Sequence, residues 1–414
     1  MNKKNVLMFV NTFAYDDPRV IAEARTLHQA GYSVTIIGAA RNTNRDVPTQ
    51  GIHHDIPIIL TPLVKTYHIK EIGIAFWQWL NGSLAETAQA SKFHKTNVIS
   101  LLFFNLWCWR LARQQRPDII HCHDFSPLPT AWLLARLRRI PFIYDAHESA
   151  PDMYAGTKAR VVKRAEAFFM RRATHTITVG NRLAQSLVAR GAKSVTVIGN
   201  WKSKADFQIE SPQLQAERTR LGLNSYHLVI TYLGTLSPAR EILPLLQAVS
   251  DTPDVALLIG GSGPLEENVI RVAEKAANIY WLGWVNMLQL PLYTQLADVI
   301  YYCLATPSDP SAERNNYYST PNKLFEAFAA GKPLIAHQGV GEIGEILEKI
   351  PAALLLEAVT VEQLRAAFQQ LQNPDTLSRL QQAALQGGEQ YSWQVAEKRL
   401  LGLYKELTES YAAN

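Results

Sequence analysis

The segment Tyr318–Pro333, YSTPNKLFEAFAAGKP, is mostly apolar, but between its capping residues it carries a base, Lys323, and an acid, Glu326. Strand-like runs precede it at Val299–Leu304 and follow it at Pro333–His337. Where a helix begins after a parallel strand, unpaired N–H groups and the positive end of the helix dipole favour a phosphate-bearing ligand. The spacing therefore predicts a phosphate site at this helix start, with Glu326 a turn further along and facing the same ligand.

The residues around Lys323 and Glu326 indicate where that helix begins and ends. Ser319 and Thr320 are residue types that cap helices, Pro321 suits a first helical position, and Gly331 suits the residue after a helix end. We therefore expect a short helix between Thr320 and Gly331.

Two further positions favour an anionic ligand. Arg240 follows Pro238 at a predicted helix start. The helix dipole disfavours a cation at this position, so an arginine here indicates an anionic ligand, although a surface arginine is the alternative. Gly261 and Gly263 form a tight strand-to-helix turn in GGSGP, a pattern that many α/β turns share.

Two pairs of a histidine and an acid follow predicted strands. His123 and Asp124 end DIIHCHD, and His147 and Glu148 end FIYDAHE. Because the carboxyl ends of parallel strands line the ligand crevice in open α/β sheets, either pair could take a proton from an acceptor hydroxyl. A histidine that is merely hydrogen-bonded at a strand end is the alternative.

The loop Asn11–Arg19, NTFAYDDPR, joins the first predicted strand to the first helix. Asp17 and Arg19 could contact an acceptor or a diphosphate. Capping of the helix by Asp16 or Asp17 is an equally good interpretation.

The elements that position these residues alternate between strand and helix in both halves of the chain. Strand-like runs of the first half are Asn5–Asn11, Val34–Gly38, Asp118–His123, Phe142–His147, Thr174–Gly180 and Ser194–Asn200. Those of the second half are His227–Gly234, Val255–Gly261, Ile279–Trp284, Val299–Leu304 and Pro333–His337. Continuous apolar strands that alternate with helices predict parallel sheets covered on both faces.

The predicted fold class is therefore α/β, with two Rossmann-like, doubly wound parallel-sheet domains whose strand ends face a central cleft. We expect an N-terminal domain at 1–200, a C-terminal domain at 201–390, and a C-terminal helix at 391–414 that packs back on the first domain. The length of 414 residues agrees with two domains of roughly 200 residues.

Composition excludes several classes of protein. A hydrophobic content of 47% with 19% charged residues is typical of globular proteins. Three scattered cysteines without a CxxC pair argue against a disulfide framework or a cysteine-based zinc site, and they fit a reducing cytoplasm. The longest apolar stretch, Val98–Trp109, is shorter than the roughly 20 residues that span a bilayer.

The net charge of +5 conceals an asymmetry between the two halves. Residues 1–200 contain 25 Lys and Arg against 13 Asp and Glu, a net +12, whereas residues 201–414 contain 16 against 23, a net −7. A basic half indicates an anionic partner such as membrane lipid or a phosphorylated acceptor. Nucleic acid is not expected, because no Arg-rich tail or RNA-binding signature is present.

Aromatic residues are concentrated in the irregular segment 65–116. It contains IAFWQWL at Ile74–Leu80 and LLFFNLWCWRLARQQR at Leu101–Arg116. Aromatic residues beside Lys and Arg describe an interfacial membrane helix, but Leu101–Arg113 is better interpreted as a core helix before the next strand. For Ile74–Leu80, contact with lipid or a lipid-linked acceptor and simple burial remain open.

Taken in order, several of these motifs resemble the GT-B-fold retaining glycosyltransferases of the glycogen-synthase-like family four, the group 1 glycosyltransferases. They are DPRVIAEARTLHQAG, RPDIIHCHD, PFIYDAHE, LGTLSPARE, IGGSGPLEE, PNKLFEAFAAGKP and the terminal YSWQVAEKRLLGLY. The resemblance implies transfer of a sugar from a nucleotide donor to an acceptor with retention, without a metal ion or other cofactor. It places the donor against the C-terminal domain and the acceptor against the N-terminal one.

For the donor, the resemblance implies that Glu326 binds the ribose hydroxyls, since a carboxylate accepts two hydrogen bonds from a cis-diol. Arg240 stands at the family's diphosphate-binding lysine, with support from the Ser319–Lys323 helix start. Trp284 and Val285 stand where the nucleobase is met, although ordinary packing is as good an explanation for Trp284.

The sequence departs from the family at two positions. Tyr318 stands in place of the first acid of the Glu-x7-Glu motif, and Thr235 in place of the arginine that partners the diphosphate-binding lysine. These departures leave the identity of the sugar open. In the other domain, the resemblance implies that His123 contacts the donor sugar or the acceptor.

The sequence thus predicts a cytoplasmic hexosyltransferase, in contact with the inner face of the membrane through its basic domain. It would use a nucleotide-diphosphate sugar, with UDP favoured, and a glycan, lipid or lipid-linked acceptor in cell-surface polysaccharide or glycolipid synthesis. A nucleotide-sugar epimerase or phosphorylase of the same fold is one alternative. A non-catalytic nucleotide-sugar-binding homologue is the other.

Overall fold

The computed structural model describes residues 3–40, 50–61, 98–305, 317–337 and 341–412. The chain divides into two compact units. The first comprises residues 1–179, 183–197 and 397–414, and the second comprises residues 180–182 and 198–396. The sequence had placed this boundary between residues 200 and 201 and the start of the returning segment at 391.

The first unit is built on one sheet. Its strands are β1 (Asn5–Phe9), β2 (Ser33–Ala39), β3 (Gln50–His53), β4 (Ile56–Thr61), β5 (Ile119–His123), β6 (Phe142–Ala146), β7 (His175–Thr178) and β8 (Val195–Val197). They lie in the order β3-β4-β2-β1-β5-β6-β7-β8, and every neighbouring pair is parallel except β3 with β4. The prediction of a parallel sheet is confirmed for this unit, with an antiparallel strand at one edge.

Helices connect these strands. They are α1 (Pro18–Gln29), α2 (Val98–Ala112), α3 (Leu128–Arg138), α4 (Gly156–Met170) and α5 (Asn181–Ala189). The central strands β1, β5 and β6 are buried along almost their whole length, as expected of a sheet covered on both faces.

The register between β5 and β6 determines which polar groups meet. His121 pairs with Ile143, and His123 pairs with Asp145. Side chains two residues apart on a strand lie on one face of the sheet, so His121 and His123 stack with ring centroids 4.3 Å apart. Two buried histidines and a buried acid therefore gather where β5 and β6 end.

The second unit is built on a parallel sheet with the order β11-β10-β9-β12-β13-β14. Its strands are β9 (Leu228–Thr235), β10 (Val255–Ser262), β11 (Ile279–Trp281), β12 (Val299–Tyr302), β13 (Leu334–His337) and β14 (Ala353–Leu356). Its core is formed by the alternating faces of β9 and β10 against the helices that follow them.

The remaining helices complete the chain. They are α6 (Ser211–Arg220), α7 (Ile242–Ser250), α8 (Glu266–Ala273), α9 (Leu290–Leu296), α10 (Asn322–Ala330), α11 (Gly341–Lys349), α12 (Val361–Leu371), α13 (Pro374–Gln390) and α14 (Trp393–Ala412). From residue 397 onward, α14 belongs to the first unit. There the Tyr404 hydroxyl lies 2.9 Å from His121 Nδ1.

The sequence missed three strands. β3 and β4 form a hairpin whose turn residues, His54 and Asp55, have φ angles of 50° and 64° and lack the Asn-Gly or Asp-Gly sequence that signals such turns. β14 is a half-buried edge strand of four residues, too short to show a clear pattern.

The aromatic segment is described only in part. Ile74–Leu80 lies outside the described residues. In α2, Phe103, Phe104 and Cys108 are buried, so this helix packs against the first unit as the core-helix interpretation expected. None of the helices in the described ranges has the length and apolar content that crossing a bilayer requires.

Candidate active site

Glycines at the carboxyl ends of β9 and β10 let two backbones and one lysine meet closely. Gly261 has a φ of 141°, and a Cβ built there would lie 1.8 Å from the Gly234 carbonyl oxygen. Gly234 itself has a φ of 155°, and a Cβ there would lie 3.3 Å from Lys323 Cε. The pair therefore requires glycine, and it opens the space that the head of Lys323 occupies.

The turn after β10 is equally tight. A Cβ at Gly263 would lie 2.3 Å from the Leu236 carbonyl oxygen, and one at Gly260 would lie 2.8 Å from Val285 Cγ2. Val285 therefore packs over the end of β10. The neighbouring Trp284 is 73% exposed, which excludes ordinary packing as the explanation for that side chain.

Helix α10 begins one residue later than the sequence predicted. Pro321 occupies the N-cap position and the helix starts at Asn322, with no side-chain cap hydrogen bond. The hydroxyl of Thr320 is buried and has no hydrogen-bond partner among the described residues. The first backbone N–H groups of α10 and the Thr320 hydroxyl are therefore available to a hydrogen-bond acceptor on a ligand.

Lys323 and Glu326 lie on the first turns of this helix. Lys323 Nζ donates a hydrogen bond to the Leu233 carbonyl oxygen at the end of β9. It lies 3.9 Å from Glu326 Oε2, too far for a hydrogen bond. Burial and the nearby Arg240 lower the pKa of Lys323, while Glu326 opposes that shift.

Arg240 lies at the end of a 3-10 helix, Pro238–Arg240, and Glu241 follows it in the left-handed conformation. Its Nη1 lies 3.4 Å from the Tyr302 hydroxyl at the end of β12. The hydroxyl of Tyr232 donates to the Thr235 carbonyl oxygen at 2.6 Å and fixes the turn before Arg240. The second unit thus brings together two cations, one acid and a helix N-terminus at neighbouring strand ends.

The first unit holds a buried polar cluster at the ends of β5 and β6. Arg19 of α1 forms hydrogen bonds from Nη2 to both carboxylate oxygens of Asp145, at 3.0 and 2.9 Å, and lies 3.2 Å from Glu23 Oε1. From the sequence, Arg19 was one candidate for contact with an acceptor or a diphosphate. The structure instead places its guanidinium in an interior ion pair, with the side chain 5% exposed.

Asp17 also has a structural role. Its side chain accepts from the Val20 backbone N–H at 3.2 Å as the cap of α1, and it accepts from the Thr12 hydroxyl at 2.8 Å. The capping interpretation therefore describes Asp17 in this structure.

The two predicted histidines meet in the cluster. His123 Nδ1 lies 3.2 Å from His147 Nε2, and both face Asp145 Oδ2, at 3.4 and 3.5 Å. Asp124, at a φ of 62°, accepts from the His147 backbone N–H at 3.2 Å. The histidines predicted from DIIHCHD and FIYDAHE therefore lie in the same polar cluster.

Burial and neighbouring charges separate the pKa values of the two rings. Burial, with His121, lowers the pKa of His123 to about 3. Burial also disfavours the charged form of His147, but Asp124 and Asp145 outweigh it and raise its pKa to about 9. Burial raises the pKa of Glu148, beside them, above its usual value.

Sequence reasoning missed four members of this cluster: Glu23, His121, Asp145 and Tyr404. The spacing of two residues in HCH would have placed His121 beside His123, and the i to i+4 spacing from Arg19 would have indicated Glu23. The same two-residue spacing in DAH would have placed Asp145 beside His147. Tyr404 carries no such signal, because its partner His121 is 283 residues away in sequence.

A metal ion is one conceivable occupant of this cluster. Single donor atoms of Glu23, His121, His123 and Asp145 lie within 4.8 Å of one another. However, the Arg19 guanidinium already contacts both carboxylates and supplies the positive charge there. These donors therefore suit an arginine and protons better than a divalent cation.

Comparison with known proteins agrees with the fold. A family model described as "Glycosyl transferase 4-like domain" matches residues 18–201, and one described as "Glycosyl transferases group 1" matches residues 227–373. The chain is 24% identical to a glycogen synthase of Mycobacterium tuberculosis over 307 residues, 70% of this chain and 69% of that protein. It is 28% identical to a D-inositol 3-phosphate glycosyltransferase of Rhodococcus opacus over 316 residues, 71% of this chain and 68% of that protein.

Solved structures share the architecture. A sucrose-phosphate synthase from Thermosynechococcus elongatus superposes with a TM-score of 0.72 at 16% identity, covering 99% of this chain and 100% of that one. Anabaena HepE in complex with UDP-glucose gives a TM-score of 0.65 at 14% identity, covering 97% and 99%. The two parallel-sheet units therefore have the GT-B fold. The chain belongs to the group 1 glycosyltransferases, and it is a hexosyltransferase that uses a nucleotide sugar.

Proposed function

We propose that the protein is a retaining glycosyltransferase that takes a sugar from a UDP-sugar. In this proposal it transfers the sugar to a glycan, lipid or lipid-linked acceptor at the cytoplasmic face of a membrane, in the synthesis of a cell-surface polysaccharide or glycolipid. The arrangement of Lys323 and Glu326 at the start of α10 carries the proposal.

A buried carboxylate needs a compensating donor, because burial of an unpaired charge is costly. Glu326 is 9% exposed, and its ion-pair partner Lys323 is too far for a hydrogen bond. A ribose cis-diol supplies two hydroxyl donors of the right kind. This observation supports Glu326 as the group that binds the ribose of the donor.

The departing diphosphate needs stabilisation as its negative charge grows in the transition state. Arg240, Lys323, the N–H groups that open α10 and the Thr320 hydroxyl supply cations and donors at neighbouring strand ends. We propose that these groups carry out the stabilisation without a metal ion or other cofactor. Arg240 offers the forked geometry that binds two phosphate oxygens.

The choice of UDP rests on relatives. Anabaena HepE was solved with UDP-glucose, and an Escherichia coli protein of the same fold, with a TM-score of 0.66, was solved with UDP-2-fluoro glucose. In this chain, the exposed Trp284 and the packed Val285 offer a flat side chain and backbone groups for a uracil ring.

A donor screen tests the proposal. The melting temperature is measured with UDP-, GDP-, ADP- and dTDP-sugars, because a ligand that binds only the folded protein raises stability. We expect the largest rise with a UDP-sugar, followed by release of UDP when membrane lipid extract is added. The anomeric configuration of the product, measured by NMR, should equal that of the donor. An inverted product, or hydrolysis to free sugar as the sole outcome, would contradict the proposal.

The membrane part of the proposal rests on one face of the first unit. We call it the basic–apolar face: Leu133, Arg136 and Leu137 of α3, with Val161, Arg164 and Phe168 of α4 and Arg172 in the turn after it, all exposed. The spacing of three to four residues puts each set on one side of its helix. Trp132 joins the two helices by an edge contact with Phe168, with ring centroids 5.5 Å apart.

The exposed charged side chains on this face are all positive. The only acid of α3 and α4, Glu166, is buried against Tyr144 and Arg190. Exposed apolar side chains between cations match the headgroup layer of an anionic bilayer, where the apolar groups enter the lipid and the cations meet phosphate.

Vesicle sedimentation tests this part. The full chain is mixed with vesicles of phosphatidylcholine alone, or of phosphatidylcholine with about 30 mol% phosphatidylglycerol. The anionic lipid gives the second kind of vesicle a negative surface potential. We expect binding to the anionic vesicles and its loss in the charge reversal Arg136→Glu with Arg164→Glu. The matched control, Arg113→Glu with Lys193→Glu, changes two exposed cations elsewhere on the first unit. Equal loss in both double variants would show that net charge, rather than this face, drives binding.

A further inference from the structure

Two buried tyrosines of the second unit donate hydrogen bonds to the loop that carries Arg240. Tyr232 lies on β9 and Tyr301 lies on β12, and both side chains belong to the buried core of this unit. Their rings meet edge to face, with centroids 6.1 Å apart. Burial raises the pKa of both hydroxyls above the usual value, so each hydroxyl stays protonated and donates.

Each hydroxyl holds one end of the loop between β9 and α7. Tyr232 donates to the Thr235 carbonyl oxygen, at the end of β9, over 2.6 Å. Tyr301 donates to the Glu241 carbonyl oxygen, directly before α7, over 2.8 Å. Arg240 lies between these two points. Because side chains in a close-packed core occupy fixed positions, the two hydroxyls are fixed anchors for the loop.

The backbone at Glu241 requires such an anchor. Glu241 has a φ of 50° and a ψ of 43°, a left-handed conformation that a residue with a Cβ keeps only where its surroundings hold it. The hydrogen bond from Tyr301 to its carbonyl oxygen is one such contact. A second is the hydrogen bond from the Ala305 N–H to the Ala239 carbonyl oxygen, at 3.0 Å. This left-handed residue separates Arg240 from α7, so the arginine is placed by the loop rather than by the helix.

Arg240 uses few of its donors within the described parts of the second unit. There its guanidinium has the Tyr302 hydroxyl as a hydrogen-bond partner, at 3.4 Å. A guanidinium carries five N–H donors in a fixed fork, so most of them are available to an anion. The fork binds two phosphate oxygens only if the backbone holds it at the right place and angle.

We propose that Tyr232 and Tyr301 are positioning residues for Arg240. Their hydroxyls hold the two ends of the Thr235–Glu241 loop and thereby present the guanidinium to the diphosphate of the donor. The inference rests on the proposed function for the identity of that anion, and on the hydrogen bonds of the loop for the positioning itself.

Hydrogen exchange of the unliganded full chain tests the positioning without any ligand. Tyr232→Phe and Tyr301→Phe each remove one hydroxyl and keep the ring. The backbone N–H groups of Arg240 and Glu241 are hydrogen-bonded within the loop, so their exchange reports its opening. Measured by mass spectrometry, residues 237–241 should exchange about fivefold faster or more in each variant, because a lost hydrogen bond makes opening easier.

Tyr226→Phe is the matched control. It removes a tyrosine hydroxyl that donates to the Ala277 carbonyl oxygen at 3.2 Å, elsewhere in the second unit. It should leave residues 237–241 exchanging at the wild-type rate. Wild-type exchange of this segment in both Tyr232→Phe and Tyr301→Phe overturns the proposal. Equal acceleration in Tyr226→Phe also overturns it, because the loss of any tyrosine hydroxyl would then loosen the loop.

A double-mutant cycle with Arg240→Gln shows whether the tyrosines act through Arg240. With a UDP-sugar as the donor, we expect Tyr301→Phe to lower kcat about tenfold with a smaller change in the donor KM, since the departing diphosphate gains charge in the transition state. In the Arg240→Gln background, the same substitution should change kcat less than about twofold. A tyrosine that only stabilises the fold would not show this dependence, so equal losses of kcat in both backgrounds contradict the positioning role.

Failure of the proposed function and failure of this inference give different results. If the wild type turns over no donor while residues 237–241 exchange faster in both tyrosine variants, the proposed function fails and the anchoring of Arg240 stands. If the wild type turns over a UDP-sugar while neither tyrosine variant changes exchange or kcat, the proposed function stands and the inference fails.

Discussion

Protonation of His147 makes the stability of the first unit depend on pH. Burial opposes its charge, but Asp124 and Asp145 raise its pKa from 6.5 to about 9. A group whose pKa is raised on folding stabilises the protein fully below its unfolded pKa, and this stabilisation is lost as pH rises through the folded pKa. The loss is therefore expected between pH 6.5 and 9.

The magnitude follows from the size of the shift. Each pKa unit corresponds to about 1.4 kcal/mol, so a shift of this size contributes at most roughly 3 kcal/mol. For a unit of this size, that free energy lowers the melting temperature by on the order of 6–10 °C between pH 6.5 and 9.5. His147→Gln removes the titrating ring and should abolish this part of the pH dependence.

Thermal unfolding from pH 6.5 to 9.5 is the assay, with the difference between wild type and variant as the quantity of interest. His28→Gln, which changes a histidine of α1 outside the cluster, is the matched control and should retain the wild-type slope. The reasoning is refuted if His147→Gln melts with the same pH slope as the wild type, since His147 would then be neutral in the folded protein.

Three further substitutions, two of them with a matched control, test other parts of the structure. Gly261→Ala places a Cβ 1.8 Å from the Gly234 carbonyl oxygen and should lower the free energy of unfolding in urea by about 3 kcal/mol or more. The control Gly402→Ala, at an open and exposed helix position, should raise it by about 0.5–1 kcal/mol. Equal effects of the two substitutions would contradict the close approach at Gly261. Tyr404→Phe leaves His121 Nδ1 without its partner and should cost about 1–3 kcal/mol, while the exposed Tyr411→Phe should be neutral in the same measurement. Arg240→Gln should lower kcat/KM on the order of a hundredfold if Arg240 stabilises the departing diphosphate, and a donor-independent loss of folding instead would rule out that role.

The sequence predicted much of the fold, because buried parallel strands are continuous apolar runs with helices between them. It also located His123 and His147, because strand ends in such sheets are where polar side chains gather. The two-residue spacing relates Asp145 to His147, but the sequence could not show that Asp145 also lies beside His123 and Arg19, because strand register sets the first contact and Arg19 is 126 residues away.

The sites predicted by resemblance differ in how far local sequence could define them. Lys323 and Glu326 follow from a single helix, whose start the sequence placed within one residue. Arg19 looked like a ligand-binding arginine because it opens a helix beside the first strand, and only the packed structure shows its interior carboxylate partners. Trp284 had two equal explanations from sequence, and its exposure removes one of them.

The central claim is that the start of α10 binds a nucleotide-diphosphate sugar, with Glu326 on the ribose. Calorimetric titration of the full chain with the UDP-sugar chosen by the donor screen tests it most directly. Removal of charged hydrogen bonds to the ribose should cost about 1.5–3 kcal/mol, so Glu326→Gln should weaken binding roughly 10- to 100-fold. Glu348→Gln, at an exposed acid of α11, should bind as the wild type does. Unchanged affinity in Glu326→Gln would contradict the account.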